Sequence, residues 1–171
     1  PALAGYNGMG PVRIGNNAYR ETQNDVYGSA ILASAQAFFD KRLHRPADRN
    51  VFADLERLGE EAIARYNQPD VDIWHREGEE RIHTFSSVMC WAACDRLAAI
   101  ARELKLKPRE ALWTANAEKI RQDVLAHAWN AELGTFTTAW NGDTVDASLL
   151  LMAELRFLGP DDYRFKSTVA T

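Results

Sequence analysis

The sequence predicts an all-α protein of paired, antiparallel helices with one short β-hairpin, and three observations carry that prediction. Apolar residues recur at intervals of three and four through several long stretches, the spacing of a helix with one face on a core. These stretches alternate between nearly all-apolar and one-sided, as the inner and outer helices of a helical toroid would. The segments between them are uneven in length and rich in Gly, Pro, Asn and Asp, the residues that set turns.

Residues 1–22 hold four of the ten glycines and two prolines, so an ordered loop is expected rather than periodic structure. Over 23–42 the residues Val26, Tyr27, Ala30, Ile31, Ala33, Ala37 and Phe38 mark a first helix, with small side chains that permit close helix contact. A second helix is expected over 51–66, with Phe52, Leu55, Leu58, Ala62 and Ile63 inward and Asn50 as its N-cap. Residues 67–81 are polar, contain Pro69-Asp70, and carry too much charge for a core, which predicts a long loop.

The third helix starts at Thr84 or Ser86 and runs to about residue 105. Val88, Met89, Trp91, Ala92, Leu97, Ile100, Ala101 and Leu104 make it apolar on most sides, as an inner helix. Pro108 opens a fourth, outer helix striped by Leu112, Ala115, Ile120, Val124 and Ala128. Residues 130–134 break it, and 135–140 followed by Asn141-Gly142 read as a short hairpin or extended excursion. Asp146 then caps a fifth helix over 147–158, stopped by Gly159-Pro160. Repeats between hairpins are too weak for a solenoid.

At 171 residues, 46% hydrophobic and 26% charged, one domain spanning 1–171 is expected. A net charge of -4 with intermixed signs leaves no basic stripe for nucleic acid. No apolar run reaches the roughly 20 residues of a membrane span, and the start lacks a signal peptide's pattern, so a cytoplasmic protein is expected. The start without Met and the end at 166–171, without a helix stop, read as a piece of a longer chain. Cys90 and Cys94, four apart on one helix, are expected as buried free thiols, with no metal site.

Two segments could carry chemistry. Residues 70–81 gather Trp74, His75, Glu77 and further carboxylates: an indole stacks on a pyranose, and a carboxylic acid can protonate a departing glycosidic oxygen. A solvated loop with Trp74 packed inward fits the same residues. Residues 5–17 combine turn glycines with Tyr6, Arg13, Asn16 and Asn17, whose polar groups suit hydroxyls. Asp25 joins them at the start of the first helix, where capping is the alternative. No phosphate-cradling glycine motif leads into a helix.

The ordered motifs Gly5-Tyr6-Asn7-Gly8-Met9-Gly10-Pro11-Val12-Arg13-Ile14-Gly15-Asn16 and Gln23-Asn24-Asp25-Val26-Tyr27-Gly28 resemble glycoside hydrolase family 15. The likeness continues through Pro69-Asp70, Ile73-Trp74, residues 83–91, Asp95-Arg96 and residues 146–151. The family contains glucoamylases, glucodextranases and some trehalases. The resemblance implies part of an (α/α)6 barrel, inverting hydrolysis of α-glucosidic bonds, an α-glucan or glucoside substrate and no cofactor. It also implies a sugar pocket at Trp74, Arg13, Asn16, Asp25 and Tyr6.

In the family, the Trp that corresponds to Trp74 is followed by a Glu that acts as general acid; here that position is His75. A neutral imidazole, with an ordinary pKa about 6.5, differs from a carboxyl held protonated by burial. This argues against ordinary glucoamylase chemistry. Glu77 is a substitute acid two residues on, displaced by about 6–7 Å along an extended segment.

The resemblance places the general base beyond Thr171, so the chain alone is expected to be inactive. About five helices cannot close a double ring of twelve, and the open half would self-associate or remain exposed. A degenerate glucan-binding module and a helical interaction scaffold are the alternatives to an enzyme.

Overall fold

The computed structural model describes residues 4–10, 21–71, 73 and 80–171. Its helices are α1 Asp25–Phe39, α2 Arg49–Arg65, α3 Thr84–Glu103, α4 Lys107–Ala128, α5 Leu151–Glu154 and α6 Tyr163–Ala170. Strands β1 Trp129–Asn130 and β2 Thr135–Phe136 form one antiparallel hairpin, and 3-10 turns occupy Tyr6–Gly8 and Ala147–Leu150.

The all-α prediction holds, with α3 at the centre. It is buried on every side from Thr84 to Cys94 apart from Phe85, and packs against α1, α2 and α4. By contrast α4 buries the single stripe Trp113, Ala117, Ile120, Val124 and Ala128, and α2 buries Phe52, Leu55, Gly59 and Ala62. Inner and outer character therefore follow the predicted alternation.

The direction of each helix is set by its contacts. A Cβ added at Gly28 would lie 2.3 Å from the Met89 carbonyl oxygen, so α1 and α3 touch backbone to backbone. A Cβ at Gly59 would lie 2.3 Å from Leu97 Cδ1 and 2.6 Å from the Trp113 ring. At the end of α2, Ser87 Oγ donates to the Tyr66 carbonyl at 2.7 Å, and Tyr66 Oη donates to Asp123 Oδ2 at 2.6 Å. Gly59 thus faces the far end of α3 while Tyr66 faces its start, so α2 runs opposite to α3 and alongside α4. The starts of α1 and α3 and the ends of α2 and α4 consequently gather at one end.

Several boundaries differ from expectation for local reasons. The first helix spans less than 23–42, and Val26 is 51% exposed, because Asn24, Gly28, Ile31 and Ala35 take the inward stripe. Asp48, not Asn50, caps α2: its Oδ1 accepts from the backbone N–H of Asn50 at 2.9 Å and of Val51 at 3.1 Å. The hairpin sits earlier than predicted because Asn130 Oδ1 accepts from the N–H groups of Glu132 and Leu133, both at 3.1 Å, and makes the turn itself.

The fifth helix is shorter than 147–158. Asp146 caps not α5 but the 3-10 turn Ala147–Leu150 that leads into it, its Oδ1 accepting from Ser148 N at 2.9 Å, and the chain leaves the helix at Arg156, whose φ is 66°. The expected five helices become six among the described residues, the additional one being α6. This helix docks on the hairpin: Phe136 N donates to Thr168 Oγ1 at 3.0 Å, and Ser167 Oγ donates to the Gly134 carbonyl at 2.5 Å. Cys90 and Cys94 are free and buried, as expected.

Candidate active site

The end where α1 and α3 start and α2 and α4 finish is closed by three extended pieces of chain. Asp70 and Arg81 exchange backbone hydrogen bonds, Asp70 N to Arg81 O at 3.0 Å and Arg81 N to Asp70 O at 3.4 Å. They form the two feet of the connection that carries, between them in sequence, Trp74, His75 and Glu77. Val71 N donates to the Thr22 carbonyl at 3.1 Å, which ties the same connection to the segment entering α1. On the other side Trp140 N donates to Ile82 O at 2.9 Å, and Thr84 N to Thr138 O at 2.8 Å.

At the meeting point stands Asp70, 1% exposed, although its segment was expected to be too charged for the interior. Its Oδ2 accepts from Asn24 N at 2.8 Å and from Ser86 Oγ at 2.7 Å. One carboxylate oxygen thus joins the residue before α1 to the first turn of α3. Asn24 is 1% exposed, and its side-chain amide donates to the carbonyls of Arg65 at 3.3 Å and Gln68 at 3.2 Å, bringing in the end of α2. The start of α1 is therefore fixed by long-range bonds rather than by a side-chain cap of its own.

Burial pushes the Asp70 carboxyl above its ordinary pKa. The bonds from Asn24 and Ser86 and the nearby His83 oppose that rise, while the like charge of Asp25 adds to it. His83 is 5% exposed, and neither ring nitrogen has a hydrogen-bond partner among the described residues. Asn24 Oδ1 and Asp70 Oδ1 are likewise buried without a partner. Such unpaired groups are uncommon in a packed interior, and here they concentrate at one place.

Of the residues anticipated for the sugar pocket, Asp25 lies in the first turn of α1, half-buried, at this end of the molecule. Tyr6 is 79% exposed in the first 3-10 turn. Arg13, Asn16, Trp74, His75 and Glu77 lie outside the described residues. Asp70, Asn24, Ser86 and His83 are not among the residues expected in the sugar pocket; all four lie within the family-like motifs, and Ser86 is a candidate helix start, but no local pattern announces their burial.

Antiparallel helices packed about α3, with their connections massed at one end, define the class as part of a helical toroid. The solved structure named Glycosidase Wild Type superposes with a TM-score of 0.73 at 21% identity, over 92% of this chain and 41% of that one. A variant of a glycosidase gives 0.75 at 20% identity over the same shares.

Residues 2–169 match the model of glycosyl hydrolases family 15, and the chain belongs to that family. It is 42% identical over 167 residues to a trehalase of Mycobacterium tuberculosis and 39% identical over 167 residues to a trehalase of Mycolicibacterium smegmatis. Each alignment covers 98% of this chain and 24% of the relative. A trehalase of Thermoplasma acidophilum is 33% identical, over 96% of this chain and 28% of the relative. The chain thus spans about a quarter of the length of these relatives. No helix among the described residues is long and apolar enough to cross a membrane.

Proposed function

We propose that the protein carrying this chain is a glycoside hydrolase that cleaves trehalose, narrowing the broader α-glucan expectation. The observation that carries this reading is the 42% identity to a trehalase across 98% of the chain, with Asp25 held at the end where the connections mass. The chemistry needs an acid to protonate the oxygen between the sugars and a base to activate water on the opposite face. Trp74, Arg13, Asn16, Asp25 and Tyr6 are proposed to bind the sugar, and His75 or Glu77 to supply the acid.

The two acids make different predictions. If His75 donates the proton, His75→Ala abolishes glucose release while Glu77→Gln leaves most of it; the reverse pattern assigns the acid to Glu77. In either case activity falls as pH rises through the acid's pKa, because the donor must be protonated when substrate binds. The measurement is glucose release from trehalose by the full protein and its two variants.

His75 at the acid position favours one further reading, a degenerate protein that binds a glucoside without cleaving it. Calorimetric titration with trehalose, maltose and isomaltose beside the release assay separates the two. Binding without release supports the degenerate protein, and release from trehalose rejects it.

A further inference from the structure

We propose that Asp70 is a positioning residue of the site, the point at which the start of α1, with Asp25, is fixed against the start of α3 and the feet of the connection between α2 and α3. This rests on the reading of that end as the active site. Four observations converge on it. Asp70 is almost fully buried, yet no basic side chain bonds to its carboxylate among the described residues. Its Oδ2 takes bonds from two residues 46 and 16 positions away, Asn24 and Ser86. Its backbone pairs with Arg81, so side chain and main chain together tie three segments. Its Oδ1 has no hydrogen-bond partner among the described residues, so both bonds of the knot are made to Oδ2 as an acceptor.

What the knot holds in place distinguishes it from a general packing feature. Asp25 follows Asn24 directly, and the connection bearing Trp74, His75 and Glu77 leaves from Asp70 and returns at Arg81. Displacing a positioned group by about 1 Å can cost on the order of 100-fold in rate. A residue acting this way is replaceable by any side chain that offers the same acceptor. Asparagine does so, with its oxygen at Oδ2 and its amide where Oδ1 is unpaired.

The test compares Asp70→Ala, Asp70→Asn and Ser86→Ala in the full protein by hydrogen exchange and by kinetics on trehalose. Asp70→Ala is expected to raise exchange at residues 21–27 and 81–90 and to lower kcat/KM by about 10- to 100-fold, within the range for a misplaced group. Asp70→Asn is expected to restore wild-type exchange and to keep kcat/KM within about threefold, under a tenfold step in barrier terms. Ser86→Ala, which removes one of the two bonds and keeps the carboxylate, is expected to move both readouts the same way by less.

Wild-type exchange in Asp70→Ala would overturn the proposal. So would an Asp70→Asn protein as impaired as Asp70→Ala with its exchange undisturbed, since that would assign the role to charge. Should the wild type release no glucose from trehalose, the substrate reading falls, while the exchange arm still decides whether Asp70 holds the knot.

Discussion

Asp70 and the cysteines show two ways a titratable side chain is held inside this molecule. Burial raises both thiols, Cys94 to about 12, and neither is in a disulfide. Ellman's reagent at pH 8 is therefore expected to label neither cysteine in the folded protein and both after denaturation. Asp70 is raised as well, chiefly by burial. A carboxyl whose folded pKa exceeds its unfolded value contributes stability below the unfolded value, about 3.9, and loses it as pH rises through the folded one. Asp70→Asn cannot titrate, so its stability relative to wild type should increase as pH climbs from about 4 toward neutrality. Urea melts of both proteins across that range check the sign.

Residue roles were the least legible part of the sequence. Asp70 reads as a loop acid because its neighbours are charged, and only bonds to Asn24 and Ser86, far away in the chain, make it an interior residue. His83 gave no sign of burial, since periodicity places apolar side chains, not the polar ones that an end-to-end junction encloses.

Helices α1 to α4 were legible because each repeats an apolar stripe over four or more turns, whereas α6 has only eight residues and no stop signal. Its place is set by Thr168 and Ser167 bonding to the hairpin, a long-range pairing with no local signature. The close approach of α1 to α3 supplies a sharper test of packing. At Gly28 an added methyl meets backbone, the Met89 carbonyl, which cannot swing aside. At Gly59 it meets the side chains of Leu97 and Trp113, which can shift in part. Gly28→Ala and Gly59→Ala should each destabilise by about 1–3 kcal/mol, in the range for overpacked cores, with Gly28→Ala the greater. Thermal melts followed by circular dichroism give the order.

At the scale of the whole molecule, the alternation of inner and outer helices was readable from the apolar spacing, and their packing gathers the starts of α1 and α3 and the ends of α2 and α4 at one end. The ordered motifs then gave the family, which the match over residues 2–169 establishes. The substrate could not be read that way, because trehalose and other α-glucosides present the same pyranose faces and hydroxyls to a pocket. Inverting hydrolysis has a signature of its own: attack at one of the two equivalent anomeric carbons of trehalose releases one β-glucose and leaves one α-glucose. Proton NMR of freshly made product should therefore show the two anomers in equal amounts before they interconvert, whereas retention would give α-glucose alone.

The most direct test of the central claim is glucose release by the full protein from trehalose, set beside maltose and isomaltose under the same conditions. Release from trehalose is expected with a kcat/KM at least about tenfold above either of the others, one barrier step of about 1.4 kcal/mol. Release from maltose or isomaltose with none from trehalose would contradict it.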